Sequence, residues 1–246
     1  MEDKNRLSYF SEHHKLNYSQ TYPNRQLKYP ELTNLLQNAA ANHADFAKLG
    51  FDELQANHQA WVMSRFRIEI DEIPRLNDEI QIDTWCEVLR GPKSIRNFAL
   101  HRNGQKLVGA TSLWAVFNTE RRRPEALAID SSMIERFPDL QATSHQTAKI
   151  ETEGFDFERV KSYEVQISDL DLVNHVNNIK YFEWCLNTLE LDFVLNRKFK
   201  VIEMNFLKEL PYQTVIYIEK YQQENELFFR ITDQDSTYFV AKIEFE

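Results

Sequence analysis

Leu32, Leu35, Leu36, Ala39, Ala40, His43, Phe46 and Ala47 recur at spacings of three and four, which predicts a helix with one apolar face. Pro30-Glu31 opens it, a proline at an early position beside an acid, and Gly50 is the expected stop. Ala39-Ala40-Ala41 keeps this helix slim enough to be wrapped closely. Upstream, residues 1–14 are polar and expected to fray, and Leu16 to Tyr22 alternates loosely as a first strand. From Trp61 the period drops to two. Phe66, Ile68 and Ile70 alternate with Arg67, Glu69 and Asp71, the pattern of a half-buried strand. Pro74 to Asp78 turns the chain, Ile80, Ile82 and Thr84-Trp85 form the return strand, and Gly91-Pro92 breaks it. Asn97 to Arg102 and Lys106 to Phe117 flank Asn103-Gly104, the strongest hairpin signal in the chain. Arg121-Arg122-Arg123-Pro124 ends this sheet.

The second half runs through the same order. Val160 to Ile167 is a strand, and Ile179, Phe182, Cys185, Leu186 and Leu189 mark the apolar face of a helix reaching about Leu195. Ile202, Met204 and Phe206 alternate, Pro211 to Gln213 turns, and Ile216 and Ile218 return. Leu227 to Ile231 and Tyr238 to Phe245 close the sheet across Asp233-Gln234-Asp235. Matching the alternation sets Phe66, Ile68 and Ile70 against Ile202, Met204 and Phe206, and Ile80 and Ile82 against Ile216 and Ile218. Each half is thus one long helix followed by several antiparallel strands, an α+β layout in which a curved antiparallel sheet wraps a central helix. Residues 130–158 are polar and mixed, with Gln141 to Gly154 as the linker. The chain divides into an N-terminal domain over 1–140, a connecting stretch over 141–158 and a C-terminal domain over 159–246.

One stretch stands out against this periodicity. Asp169 to Tyr181 holds two carboxylates (Asp169, Asp171), three carboxamides (Asn174, Asn177, Asn178) and the His175 imidazole, where the chain enters a buried helix. N–H groups at a helix start lack intrahelical partners, and the helix dipole favours negative charge there. Those near Val176 to Asn178 are expected to hold the oxygen of a carbonyl under attack. The first helix is preceded by no Asp-x-x-x-His arrangement, so the stretch is read as a feature of the second half alone.

Composition narrows the class. With 246 residues, 42% hydrophobic and 27% charged, the chain suits one large globular domain or two of ordinary size. Only 5 Gly and 7 Pro argue against long low-complexity segments. A net charge of −9 argues against non-specific nucleic-acid binding, which needs a basic surface. No run has the apolar length of a membrane-spanning helix, and Met1 to Arg6 lacks the apolar core of a secretory signal. Cys86 and Cys185 are too few for a disulfide scaffold or a cysteine-built zinc site, and the histidines show no ligand spacing. The expectation is a cytoplasmic protein, monomer or homodimer, with no metal and no cofactor. Aromatics, at 13%, suffice to line a sizeable apolar cavity, although core packing is an equal reading for any one ring.

Several motifs together resemble one family. Leu35-Leu36-Gln37-Asn38-Ala39-Ala40-Ala41-Asn42-His43 is similar to its first helix, and Trp61-Val62-Met63-Ser64-Arg65 through Asp83-Thr84-Trp85 to its first strand pair. Ser112 to Asn118 followed by the arginine run is also typical, and Asp169-Leu170-Asp171, then His175-Val176-Asn177-Asn178 and Lys180-Tyr181, is its most distinctive signature. The family is that of the acyl-acyl carrier protein thioesterases of plant plastids and bacteria, which are tandem hotdog proteins. The resemblance is to the short bacterial form and runs along nearly the whole chain. It implies two hotdog domains and hydrolysis of the thioester that joins a fatty acyl chain to the phosphopantetheine arm of acyl carrier protein. It places the working groups at Asp171, His175 and Glu209, with an Asn between the first two. The sequence departs from the family at two points. Val173 fills the slot of the family's Asn, leaving Asn174 to supply the amide by a shifted turn, and Leu210 stands where plant members often carry Cys.

These residue types suit the chemistry. Glu209 can act as general base on water or attack the carbonyl directly. His175 orients it or couples to it by a proton, Asn174 donates to the carbonyl oxygen or the water, and Asp171 is expected to hold the loop. Taken singly, each has an ordinary reading: Asp169 and Asp171 as helix caps, His175 as a structural histidine, Glu209 as a solvated acid, and Cys185 as a buried, inert thiol. In the strand register Ile73 stands where Glu209 does, whereas aligning Pro74 with Pro211 would put Glu72 there; either way one site per chain is implied. The first half then becomes the acyl-tail side, with Leu32, Leu36, Ala39, Trp61, Trp85 and Trp114 as candidate lining and Asn178 as a further substrate contact at the second helix. An acidic carrier protein on an acidic chain needs a local basic patch. Arg90, Lys93 and Arg96 are one candidate, Arg121 to Arg123 another, and Arg197, Lys198 and Lys200 a third. The rival readings are an acyl-CoA thioesterase, a 3-hydroxyacyl dehydratase, and a non-catalytic acyl-thioester sensor. The lack of Gly from Asp171 to Asn178 argues against the second, and the presence of Glu209 against the third.

Overall fold

The computed structural model describes residues 7–246, so the readings made on Met1 to Arg6 lie outside the described residues. The chain forms two compact units, Met1–Thr147 and Ala148–Glu246. In the first, strand β1 (Tyr9–Lys15) and a short 3-10 turn lead to helix α1 (Tyr29–Phe46) and the short helix α2 (Phe51–Gln55). Strands β2 (Gln59–Ile70), β3 (Glu79–Arg90), β4 (Lys93–Arg102) and β5 (Gln105–Asn118) follow, with β6 (Arg123–Pro124) as a two-residue addition to the end of β5. The sheet is antiparallel in the order β1-β3-β4-β5-β2. The second unit holds β7 (Glu158–Glu164), helices α3 (Asn178–Leu186) and α4 (Leu191–Asn196), and strands β8 (Phe199–Phe206), β9 (Val215–Gln223), β10 (Glu226–Thr232) and β11 (Thr237–Phe245). Its sheet order, β7-β9-β10-β11-β8, repeats that of the first unit strand for strand. Both units are thus α+β, a broad antiparallel sheet with few helices.

Most of the periodic residues form the core, but Phe46 at the end of the first helix is exposed and Ile179 and Leu189 are only half-buried. Leu32, Leu36, Ala39 and His43 bury one face of α1, which packs against β1 and β3, and Phe66, Ile68, Ile80 and Ile82 are buried from the sheet. Each leucine so buried contributes about 1.5–3 kcal/mol of transfer free energy. Asn103 and Gly104 both take positive φ, 52° and 78°, as a two-residue hairpin requires.

Three local expectations are corrected. The first strand is Tyr9–Lys15, not Leu16 to Tyr22 and not a frayed end. It is an edge strand whose partners matter more than its own alternation: Tyr9 stacks on Trp85 at 5.2 Å, and Phe10 is its one buried ring. Helix α1 ends at Phe46, before Gly50. Lys48 takes the left-handed position (φ 57°), Leu49 N–H reaches Ala44 O and Lys48 N–H reaches Asp45 O, the bond pair of a Schellman motif. Gly50 instead stands before α2 with φ −79°, where a Cβ would lie 1.8 Å from Asp45 Oδ1. In the second half the expected single helix to Leu195 is two, because Thr188 and Leu189 turn back onto Cys185 and Leu186 and end α3.

The connecting stretch is packed on both sides of its midpoint. In the first unit Ala142 sits against Trp85 and Ala99 and donates its N–H to Asn97 Oδ1 at 3.0 Å. Gly109 leaves it room, since a Cβ there would meet Ala142 O at 2.1 Å. In the second unit Ile150 packs on Phe228 and Val240, and its N–H is held by Asn205 Oδ1 at 2.9 Å. No described helix is long and apolar enough to cross a membrane.

Candidate active site

The polar stretch folds as a tight hairpin ahead of α3. Leu170 and Val176 form an isolated bridge, Asp171 N–H donates to His175 O at 2.8 Å, and Asn174 closes the turn with φ 65°. Asp171 Oδ1 accepts the N–H groups of Val173 (3.0 Å) and His175 (3.1 Å), so one carboxylate oxygen braces both arms of the turn. Asp169 is buried and accepts from Gln166 N–H and the Tyr163 hydroxyl, both at 2.8 Å. Neither aspartate caps α3. Asn177 does, accepting the Ile179 N–H at 3.1 Å.

The hairpin brings His175 to Glu209. Nε2 of His175 lies 3.6 Å from Oε2 of Glu209, with the two side chains 35% and 37% exposed. That is ion-pair range and slightly long for a hydrogen bond. Glu209 stands just past β8 on backbone held from several directions. Leu207 and Lys208 N–H both donate to Tyr238 O (2.8 and 3.2 Å), and Val176 N–H donates to Leu210 O at 3.0 Å. The Tyr181 hydroxyl bonds Lys208 O (3.4 Å) and accepts the Leu210 N–H (3.1 Å). Burial, with the Glu209 and Asp171 charges adding to it, pushes the Tyr181 phenol well above its ordinary pKa and keeps it protonated.

The expected oxyanion donors are largely engaged elsewhere. Val176 N–H goes to Leu210 O and Asn177 N–H to Asp169 O at 2.9 Å. Of the three candidates, only Asn178 N–H has no partner among the described hydrogen bonds, and Asn178 itself is half-buried on the first turn of α3. Asn174 is exposed, and no described hydrogen bond involves its side chain.

The proposed acyl-tail residues all lie in the first unit, and the structure separates them. Trp61 lines a small pocket, little larger than a water molecule, with His43, Cys86, Ser94, Arg96 and Ile134. Trp85 does not join it: alternation along β3 turns it to the opposite face of the sheet, where Nε1 donates to Leu140 O. Trp114 is half-buried, with Nε1 on Ser112 Oγ. Leu36 and Ala39 are fully buried in the core face of α1. Arg96 leaves the basic cluster assigned to it, because Nη1 points inward to His43 Nδ1 (2.7 Å) and Thr84 Oγ1 (3.1 Å). His43 therefore accepts on Nδ1 and donates from Nε2 to Leu7 O, and burial together with the Arg96 charge brings its pKa down to about 3. Cys185 is wholly buried, which pushes its thiol up and away from thiolate chemistry. Among the described residues no group of three His, Cys, Asp or Glu is placed to hold a metal ion.

A braced turn, a histidine and a carboxylate at one end of an α+β sheet define a candidate hydrolytic centre. The acyl-ACP thioesterase N-terminal domain model matches residues 8–134 and the C-terminal domain model residues 153–246. The chain belongs to the acyl-ACP thioesterase family. It is 29% identical over 198 residues to the chloroplastic palmitoyl-acyl carrier protein thioesterase of Arabidopsis thaliana, covering 74% of this chain and 48% of that protein. It is 24% identical over 233 residues to the chloroplastic oleoyl-acyl carrier protein thioesterase 2 of the same plant, covering 87% of this chain and 63% of that one. The chain thus spans about half to three-fifths of the length of these relatives. Among solved structures, an acyl-ACP thioesterase from Bacteroides thetaiotaomicron superposes over all of both chains with a TM-score of 0.85 at 24% identity. The 12:0-ACP thioesterase from Umbellularia californica does so over 97% of each with a TM-score of 0.82 at 19% identity. At these identities the structures speak for the fold.

Proposed function

We propose that this protein hydrolyses the thioester of fatty acyl-acyl carrier protein, releasing free fatty acid and the carrier and so ending chain elongation. The observation that carries this reading is the approach of His175 to Glu209 across the turn braced by Asp171. Glu209 takes a proton from water as the water oxygen attacks the carbonyl carbon, or attacks that carbon itself to give an anhydride that water then opens. In either route the carbon–sulfur bond breaks and the leaving thiolate takes up a proton, which His175 is placed to relay. Asn174 and the Asn178 N–H are the proposed donors to the carbonyl oxygen.

The two units are read as tandem hotdog domains, the first binding the acyl tail and the second carrying the chemistry. Trp61, half-buried at the pocket of the first unit, is kept as a proposed tail contact. The acidic carrier is assigned to the end of the first sheet. There Lys93 pairs with Ala115 and Arg123 with Asn118, so that exposed Arg90, Lys93 and Arg121 to Arg123 fall at one end and merge two clusters into one patch. The third cluster is set apart by Lys200, which is half-buried and meets Glu246 at 3.4 Å, whereas the residues of the merged patch are all exposed even though Arg121 meets Glu125 at 3.5 Å. A cytoplasmic setting and a monomeric or homodimeric state complete the reading.

The test is release of free thiol from a panel of acyl-carrier and acyl-CoA thioesters by wild type and Glu209→Ala. We expect preference for the carrier-bound substrates and a loss of turnover of about 10²–10⁴-fold in the variant, with the melting curve unchanged. Unchanged turnover removes Glu209 from the mechanism. Preference for coenzyme A reassigns the substrate, and no release from any thioester favours a sensor.

A further inference from the structure

We infer that Tyr181 is a positioning residue for Glu209, its hydroxyl clamping the two peptides that flank the carboxylate; the inference rests on the thioesterase reading for its kinetic consequence. Tyr181 is 3% exposed, and its ring is fixed among Trp184, Phe206 and Phe239 at centroid distances of 5.8, 5.9 and 5.5 Å. From that socket the hydroxyl donates to Lys208 O and accepts from Leu210 N–H, one bond on either side of Glu209. The carbonyl of Leu210 is held in turn by Val176 N–H, next to His175 in the chain. One hydroxyl and one amide therefore tie the peptide carrying the acid to the hairpin carrying the histidine. A displacement of about 1 Å between reacting groups can cost about 10²-fold in rate, so the tie bears on chemistry and not only on folding.

The first unit provides the control. Its β1, 3-10 turn and α1 start at Tyr9, Tyr18 and Tyr29, where the second unit has Glu158, Ile167 and Asn178, a constant shift that sets Leu32 against Tyr181. The bond from Leu27 N–H to Pro74 O matches that from Val176 N–H to Leu210 O, which sets Pro74 against Leu210 and Ile73 against Glu209. Where the acid is absent the phenol is absent too, and proline has no N–H to receive it. The equivalent strand end thus turns in the same way with both halves of the clamp missing, so the clamp is not a requirement of the turn.

Tyr181→Phe keeps the ring and removes the clamp. We expect kcat on an acyl-carrier thioester to fall about 10–100-fold with KM within about twofold, and the Leu210 amide to exchange with solvent at least about tenfold faster. Added to Glu209→Gln, the substitution should cost nothing further, because a residue that acts through Glu209 has no effect once the carboxylate is gone. An unchanged kcat, a loss confined to KM, or a full additional loss in the double variant would overturn the assignment. If wild type hydrolyses no thioester, the functional reading fails separately, and Leu210 exchange decides the clamp alone: faster exchange in Tyr181→Phe supports it and an unchanged rate refutes it.

Discussion

The turns that precede α1 and α3 share a backbone and differ in nearly every side chain. Thr21 bridges Leu27 as Leu170 bridges Val176, and Tyr22 N–H reaches Gln26 O at 2.8 Å as Asp171 N–H reaches His175 O at the same distance. Arg25 takes φ 69° where Asn174 takes φ 65°. The turn in the first unit is steadied by Asn24, whose Oδ1 accepts the Gln26 N–H at 3.0 Å. In the second unit the corresponding residue is Val173, which has nothing to offer, and Asp171 accepts the matching N–H of His175 instead. The polar stretch, expected to have no counterpart in the first half, has one in its shape, with different residues on it. A duplicated turn serves as scaffold in one unit and presents His175 to Glu209 in the other. The missing Asn at Val173 leaves the turn standing because a neighbouring carboxylate does the bracing.

This comparison can be broken most sharply at its histidine. His175→Ala should lower kcat/KM by about 10²–10⁴-fold, whereas Gln26→Ala at the matching position should stay within about twofold. Equal losses at the two would mean that the turn, and not the imidazole, is what matters. Asn174→Gly comes next. Glycine adopts the left-handed conformation without strain and Arg25 shows that the turn does not need an amide there. A loss of about tenfold is expected if the amide meets the substrate, since one donor to a developing oxyanion is worth that or more; unchanged thiol release would limit Asn174 to its backbone role. The smallest effect concerns stability. His43, buried in the first unit with a pKa of about 3 against an ordinary 6.5, is neutral when folded, whereas the unfolded chain takes up a proton below about pH 6.5. Its contribution is intact above that value and is lost as pH falls toward 3, at up to about 1.4 kcal/mol per pH unit. Urea midpoints measured between pH 7 and pH 4.5 should fall more steeply for wild type than for His43→Gln, and parallel curves would remove His43 as the cause.

Much of the architecture was legible because the physical signals are local. Period-two alternation marked β2 and β3, period-three-and-four spacing marked α1, and Asn103-Gly104 marked its hairpin. What escaped was set by partners distant in sequence. Tyr9–Lys15 is polar enough to resemble a frayed end until β3 lies beside it. Lys48 takes a position that glycine usually fills, and Gly50 answers to the Asp45 side chain instead. In the site, Asp171, His175 and Glu209 are visible in the chain as residue types in order, whereas Tyr181 reads only as part of a signature. Its ring falls beside the apolar stripe, and its two partners are 27 and 29 positions away.

The sequence by itself determined the inventory and the order: two helices followed by matching sets of strands, and one stretch with an imidazole and carboxylates that has no Asp-x-x-x-His counterpart before the first helix. Side-chain types and their periods carry that information directly. Only the tertiary structure decided which polar groups remain to do chemistry. Every residue but proline brings an N–H, and whether it faces a carbonyl across the fold is not written in its own identity. Val176 and Asn177 looked like oxyanion donors at a helix start, and the fold turned one toward Leu210 and the other toward Asp169.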